Sequence, residues 1–334
     1  MRIFCLLLCL CAFNPSDDIA KRDFYLRISK KYCSDAYEIF QSEPDYKKFT
    51  QYANGDKESE WLAEFGTVVH ETCHGYNSKI GQSKEGYFIT SGIKIIVSRK
   101  SYYNSTELNN FIPDSVQKNI DRYKVYIDKG MNGDQVASQV FGIYDMLDEF
   151  CAYYHGTKAQ VELYEYYNAL AAIKPSKYWL LYLKHFQSEI YSYYEFKLFM
   201  SWYLQYARKV HEDVYNDCMD NIPLRVSYTL LDDEWVALLK DFDTKRNQII
   251  EQLTQKGFKV NIEGQYEKDV DGKVSKHYYF NVIEKNGESN GICTYYQNIE
   301  YLTTMLKDTT HRVLNRFRVE GVISLNYKTY LEKK

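Results

Sequence analysis

His70, Glu71, Thr72, Cys73 and His74 combine the residue types and the spacing of a metal-assisted reaction. On a helix, positions i and i+4 share a face one turn apart, so His70 and His74 can turn imidazole nitrogens to one ion at about 2.0–2.1 Å. Glu71, one residue on, is rotated by roughly 100°. That places its carboxylate beside the ion's open coordination position, where it can take a proton from bound water rather than ligate. With 7 His among 334 residues, the expected number of chance matches to this pattern is on the order of 0.01. The flanks keep competing charge away: Thr67 and Val68 precede the motif, Thr72 and Cys73 fill it, and Gly75 and Tyr76 follow.

Thr67 to Tyr76 resemble the zincin metallopeptidases, whose pattern is an uncharged lead-in, His-Glu-x-x-His, and a small or apolar follow-on. The resemblance is strong over this stretch and extends to the rest of the chain only by architecture. It implies zinc as cofactor, His70 and His74 as two of its ligands, Glu71 as general base, and a peptide or protein as substrate. The metzincin branch would place a histidine six residues beyond His74, where Ile80 stands. That branch is excluded. The gluzincin type takes a glutamate from a second helix, and Glu149, in the run Asp145 to Tyr154, is the residue this implies as third ligand. Asp148, His155, His185 and His211 are the alternatives. The neprilysin-like pattern has an aspartate four residues after that glutamate, but Tyr153 stands there. Asp145, one turn before Glu149, is then a candidate to orient a ligand histidine. In resembling families a Tyr or His donates to the oxyanion; Tyr153 and His155 are the choices, with Tyr154, His211 and His311 also qualifying.

Periodicity and punctuation predict the elements that must carry these residues. Helices are expected over 17–41 and 58–75, the second ending at Gly75. A β-branched stretch follows, Tyr87 to Thr90 and Ile93 to Val97, bracketed by Gly86 and Gly92. Asn132-Gly133-Asp134 is a turn and N-cap signal before a helix to about Tyr154. Further helices are expected over 157–172, 176–216 and 231–256. From Gly257 the pattern alternates through Phe258, Val260 and Ile262, Asp271-Gly272 marks a hairpin, and Tyr278 to Ile283 returns. The expected fold class is mainly α (α+β): a zincin-like helical domain over 14–256 with a small sheet, and a small α/β region over 257–334.

The composition, 45% hydrophobic and 26% charged, is that of a globular chain. The 42 Lys and Arg against 45 Asp and Glu, a net charge of −3, leave no positive field to attract a phosphate backbone, so nucleic acid is excluded as the expected partner. Tyr is abundant, at 34 residues, and is assigned no function. Met1, Arg2 and the apolar run Ile3 to Phe13 describe a secretory signal peptide over 1–13, too short to span a bilayer. The expected location is therefore secreted or in the cell envelope. Cys9 or Cys11 would carry a lipid anchor only against the preference for a small preceding residue. The cysteines beyond that segment, Cys33, Cys73, Cys151, Cys218 and Cys293, are widely spaced and odd in number, so at least one thiol stays free. Cys73 and Cys151 are expected to pack in the core, and the rotation of Cys151 by about 200° from Glu149 argues against bridging them. Cys33 would ligate zinc only in a latent form. Asn104-Ser105-Thr106 is a glycosylation acceptor in a secreted eukaryotic chain. Two further functions fit the same residues: a noncatalytic binding protein with a degenerate site, and a zinc hydrolase of a non-peptide bond.

Overall fold

The computed structural model describes residues 15–128, 137–184, 186, 189–268, 274–283, 289–294, 297–307 and 311–332. The signal peptide with Cys5, Cys9 and Cys11, the Asn132-Gly133-Asp134 turn, His185 and the Asp271-Gly272 turn lie outside them. The chain is mainly α with two small antiparallel sheets.

The first layer comprises α1 (Pro15–Tyr32), α2 (Ser34–Ser42), α3 (Lys47–Thr50), α4 (Glu58–Ala63) and α5 (Phe65–Gly81). Strands β1 (Glu85–Thr90) and β2 (Ile93–Val97) form a hairpin. A 3-10 turn (Ser105–Asn110), α6 (Asp114–Gln117), α7 (Tyr123–Tyr126) and α8 (Ala137–Val140) lead to α9 (Ile143–Glu162). Then come α10 (Tyr164–Ala171), α11 (Pro175–Lys184), α12 (Glu189–Val210), α13 (Glu212–Asp220) and α14 (Ile222–Gln255). The C-terminal region holds β3 (Lys259–Lys268), β4 (Val274–Ile283) and β5 (Ser289–Thr294), in that order across one sheet, and then α15 (Gln297–Met305), α16 (His311–Phe317) and α17 (Tyr327–Glu332).

The expected helix 58–75 is broken at Glu64 and overruns its predicted end. A residue at φ −91° and ψ 2° turns the chain between α4 and α5. Gly75 does not stop α5, because Tyr76 and Asn77 beyond it are buried and continue the inner face of Val68, Val69, Thr72 and Cys73. The helix ends at Gln82, whose φ of +56° closes it. Likewise α9 starts later than predicted, after Gly142, and runs without a break through Thr157 to Glu162. Buried positions recur along its whole length, so packing and not local punctuation sets its ends.

α5 and α9 cross at the centre of the molecule. An aromatic cluster of Tyr25, Phe40, Phe49 and Phe65 supports the start of α5, and Tyr25 donates to Trp61 O at 2.8 Å. Behind α9 the Trp235 indole of α14 donates to Phe150 O at 3.2 Å. Helix–helix distance is set by what stands between the axes. At this crossing little does: a Cβ on Gly156 of α9 would lie 2.8 Å from Gly66 O and 3.3 Å from the Cβ of His70. Gly156 lets the backbones meet.

Candidate metal centre

That close approach brings Glu149 over the histidine pair. His70 Nε2 and His74 Nε2 lie 3.2 Å apart, and Glu149 Oε2 is 3.6 Å from each. In a tetrahedral site with bonds of about 2.0–2.1 Å, neighbouring ligand atoms are about 3.3 Å apart. The triangle therefore has the size of one face of such a site, and these residues are a group able to hold a metal ion.

The surrounding bonds fix each ligand. Asp148 Oδ2 accepts the Nδ1–H of His74 at 2.6 Å, which turns His74 Nε2 to the centre. Asn77, one turn below on α5, donates through Nδ2 to Asp148 Oδ1 at 2.7 Å and accepts through Oδ1 from Phe88 N at 2.9 Å. Tyr126 donates to Glu149 Oε2 at 3.1 Å, and Tyr153 packs its ring against His70 with centroids 4.3 Å apart. The two hydroxyls are 3.3 Å apart. The Arg122 guanidinium covers the Tyr153 ring at 4.6 Å and is held by Glu195 Oε2 at 2.8 Å.

Electrostatics reinforce the fit. Burial pushes His70 well below the usual imidazole value, with His74 and Arg122 adding to it. Burial also opposes a charge on His74, but Asp148, Glu149 and Glu71 outweigh it and lift His74 to about 10. Desolvation raises Glu149 to about 7, with Asp148 and Glu71 adding to it against the pull of His74 and the Tyr126 hydroxyl. Burial thus disfavours charge on His70 and on Glu149, and a cation placed there would meet all three ligand atoms at once.

Glu71 and His74 line a cleft of about 400 Å³ that also carries Glu43, Lys48, Tyr52 and Lys79. Lys79 is anchored by Glu43 at 2.6 Å.

The structure brings His70, His74, Glu149 and Tyr153 together with Glu71 nearby, adds Asp148 as the partner of His74, and places His155 and His211 elsewhere; the His185 and His311 side chains lie outside the described residues. His155 does not reach the cleft: it is buried, stacks on Phe88 and meets Phe88 O through Nε2 at 2.7 Å. Its position six residues beyond Glu149 carries it to the far side of α9. His211 pairs with Glu107 at 2.9 Å and stacks on Tyr103. Asp145 is not the orienting carboxylate; it accepts from Phe141 N at 2.6 Å, and Asp148 has that role. Tyr154 donates to Glu234. Cys33 is buried, with its thiol on Ala159 O at 3.3 Å. Asn77, Arg122 and Tyr126 were not singled out from sequence, and nothing local marks them: Tyr126 is one tyrosine among 34.

No family model matches the chain, and neither the curated proteins nor the solved structures include a match to it.

Proposed function

We propose that the protein is a zincin-like, zinc-dependent metallopeptidase. The observation that carries this reading is the triangle of His70, His74 and Glu149, whose His74 lines an open cleft together with Glu71. The donor set, two imidazoles and a carboxylate, is one that zinc accepts while keeping a position for water. When bound, zinc supplies a Lewis acid and makes water acidic enough to ionise near neutral pH.

The chain's own groups do the rest. Glu71 takes the proton of the attacking water and returns it to the leaving amine, so the nitrogen departs neutral. Tyr153, held at His70, is the donor we assign to the oxyanion, a contact that gains strength as charge develops there. Asp148 keeps the His74 tautomer fixed throughout. Lys48, Lys79 and Tyr52 line the cleft and offer contacts to an extended peptide there.

Glu71→Gln keeps the side-chain size and removes the base. It should lower peptide hydrolysis by at least about 100-fold while zinc content, read by elemental mass spectrometry, stays near that of the unaltered chain. Unchanged turnover would remove Glu71 from the reaction. A folded protein that binds no zinc would end the metallopeptidase reading altogether.

A further inference from the structure

A second cluster of ligand-type side chains lies behind the first. Cys73 of α5 and Cys151 and His155 of α9 bring their ligand atoms within 4.8 Å of one another, and all three are buried to 1% exposure or less. Both thiols are free. The helical rotation argued against a Cys73–Cys151 bridge, and no such bridge forms; the close crossing of α5 and α9 nevertheless brings the sulfurs near each other.

We propose that Cys73, Cys151 and His155 form a second, structural site for a thiophilic divalent cation, zinc above all, which cross-links α5 and α9 beneath the cleft. Two thiols and an imidazole are soft donors of the kind that select zinc in structural sites. Binding releases the two thiol protons, and the dication neutralises the two thiolates, so no net charge is buried.

The second observation is an unpartnered nitrogen. His155 Nε2 meets Phe88 O at 2.7 Å, the outer hydrogen bond to a backbone carbonyl that ligating imidazoles make through their other nitrogen. Nδ1 is left buried with no hydrogen-bond partner. Asp35 Oδ2 is 3.9 Å from it, beyond hydrogen-bond reach, and Asp35 is already occupied by Lys158, Thr90 and the Ser91 amide. An imidazole lone pair enclosed in this way costs free energy unless an acceptor-seeking group meets it.

Phe88 O, the acceptor of the His155 Nε2–H, also accepts from the Cys151 thiol at 3.1 Å, a bond that ionisation of the thiol would release. Asn77 Nδ2 points at Cys151 Sγ from 3.5 Å, a donor suited to a thiolate. The same amide group donates to Asp148, the partner of His74. An ion held by the cysteines would therefore fix the side chain that fixes the cleft ligand. Because the site is closed, it would load as the helices come together during folding.

The test uses the full chain carrying H70A and H74A, refolded under reducing conditions with zinc or with cobalt. The expected result is about one ion per chain and, for cobalt, a thiolate-to-metal charge-transfer band in the near ultraviolet that disappears when C151A is added. A folded protein with no ion and no such band overturns the proposal, as does a Cys73–Cys151 disulfide mapped in the freshly isolated chain. If the histidine variant does not fold, the unaltered chain gives the same answer: about two ions, against about one and no sulfur band in C151A alone. The sulfur band and its loss in C151A report on the cysteine site alone and do not involve hydrolysis, so failure here leaves the metallopeptidase reading standing, and failure of that reading leaves this site standing.

Discussion

Asp148 holds His74 through one carboxylate oxygen and Asn77 through the other, so removing it frees the imidazole to rotate and to change tautomer. Asp148→Ala should weaken zinc binding by about 10–100-fold, measured by competition with a chelator, while the far-ultraviolet circular dichroism stays that of the parent. An unchanged affinity would show that His74 is positioned by the helix alone. At this scale the sequence was legible where chemistry sits on one element. His70, Glu71 and His74 are fixed by helical geometry, and Glu149 followed from a family resemblance. Asp145 was expected to orient a ligand histidine and Asp148 does so, because both lie within a turn of Glu149 and only the crossing with α5 selects between them. His155 failed as a cleft residue for the same reason.

Elements supply what spacing cannot. The distance between α5 and α9 decides whether Glu149 reaches the histidines, and Gly156, against the Gly66 carbonyl, sets that distance. Gly156→Ala forces a methyl to 2.8 Å from Gly66 O, a backbone atom that cannot step aside. The helices must part, at an expected stability loss of about 1–3 kcal/mol and with weaker zinc binding. Gly75→Ala is the contrasting case: its Cβ meets nothing within 4 Å, and alanine's helix propensity should raise stability by up to about 1 kcal/mol. Urea unfolding of the two variants checks both signs, and equal effects would refute the crossing argument. Gly75 also shows why helix ends were harder to read than helices. A glycine on an open face of a helix is tolerated when buried neighbours such as Tyr76 and Asn77 continue the packing, so the sequence signal for a stop was outweighed by tertiary contacts. The strands β1 and β2 were read within two residues because the β-branched stretch and the turn glycine Gly92, at φ +84°, agree.

Over the whole molecule, the long helix α14 joins the layers. Arg225 on it donates to the carbonyls of Arg316, Phe317 and Arg318, and Arg318 returns to Asp232 and Asp233. These long-range ties were invisible in sequence, since no local pattern pairs residues some ninety positions apart. The same compactness buries charge, and Glu162 at the end of α9 gives a global readout of it. Desolvation lifts its carboxyl to about 7, with Asp35 adding to it and Lys158, His155 and Lys245 opposing. In the unfolded chain a glutamate titrates near about 4.3. Between these values the folded protein keeps a proton that the unfolded chain has released, so stability falls as pH rises. The contribution of Glu162 is fully present below about pH 4 and is lost as pH rises through about 7. Its slope is bounded at about 1.4 kcal/mol per pH unit. Glu162→Gln removes this titration while keeping the side-chain shape and its place beside Lys158, 3.8 Å away in the parent. The variant should therefore gain stability relative to the parent at pH 8 and much less at pH 5, as read from urea midpoints at fixed zinc. Parallel profiles for the two proteins would mean that water reaches Glu162 in the folded state and that the end of α9 is less enclosed than its packing implies.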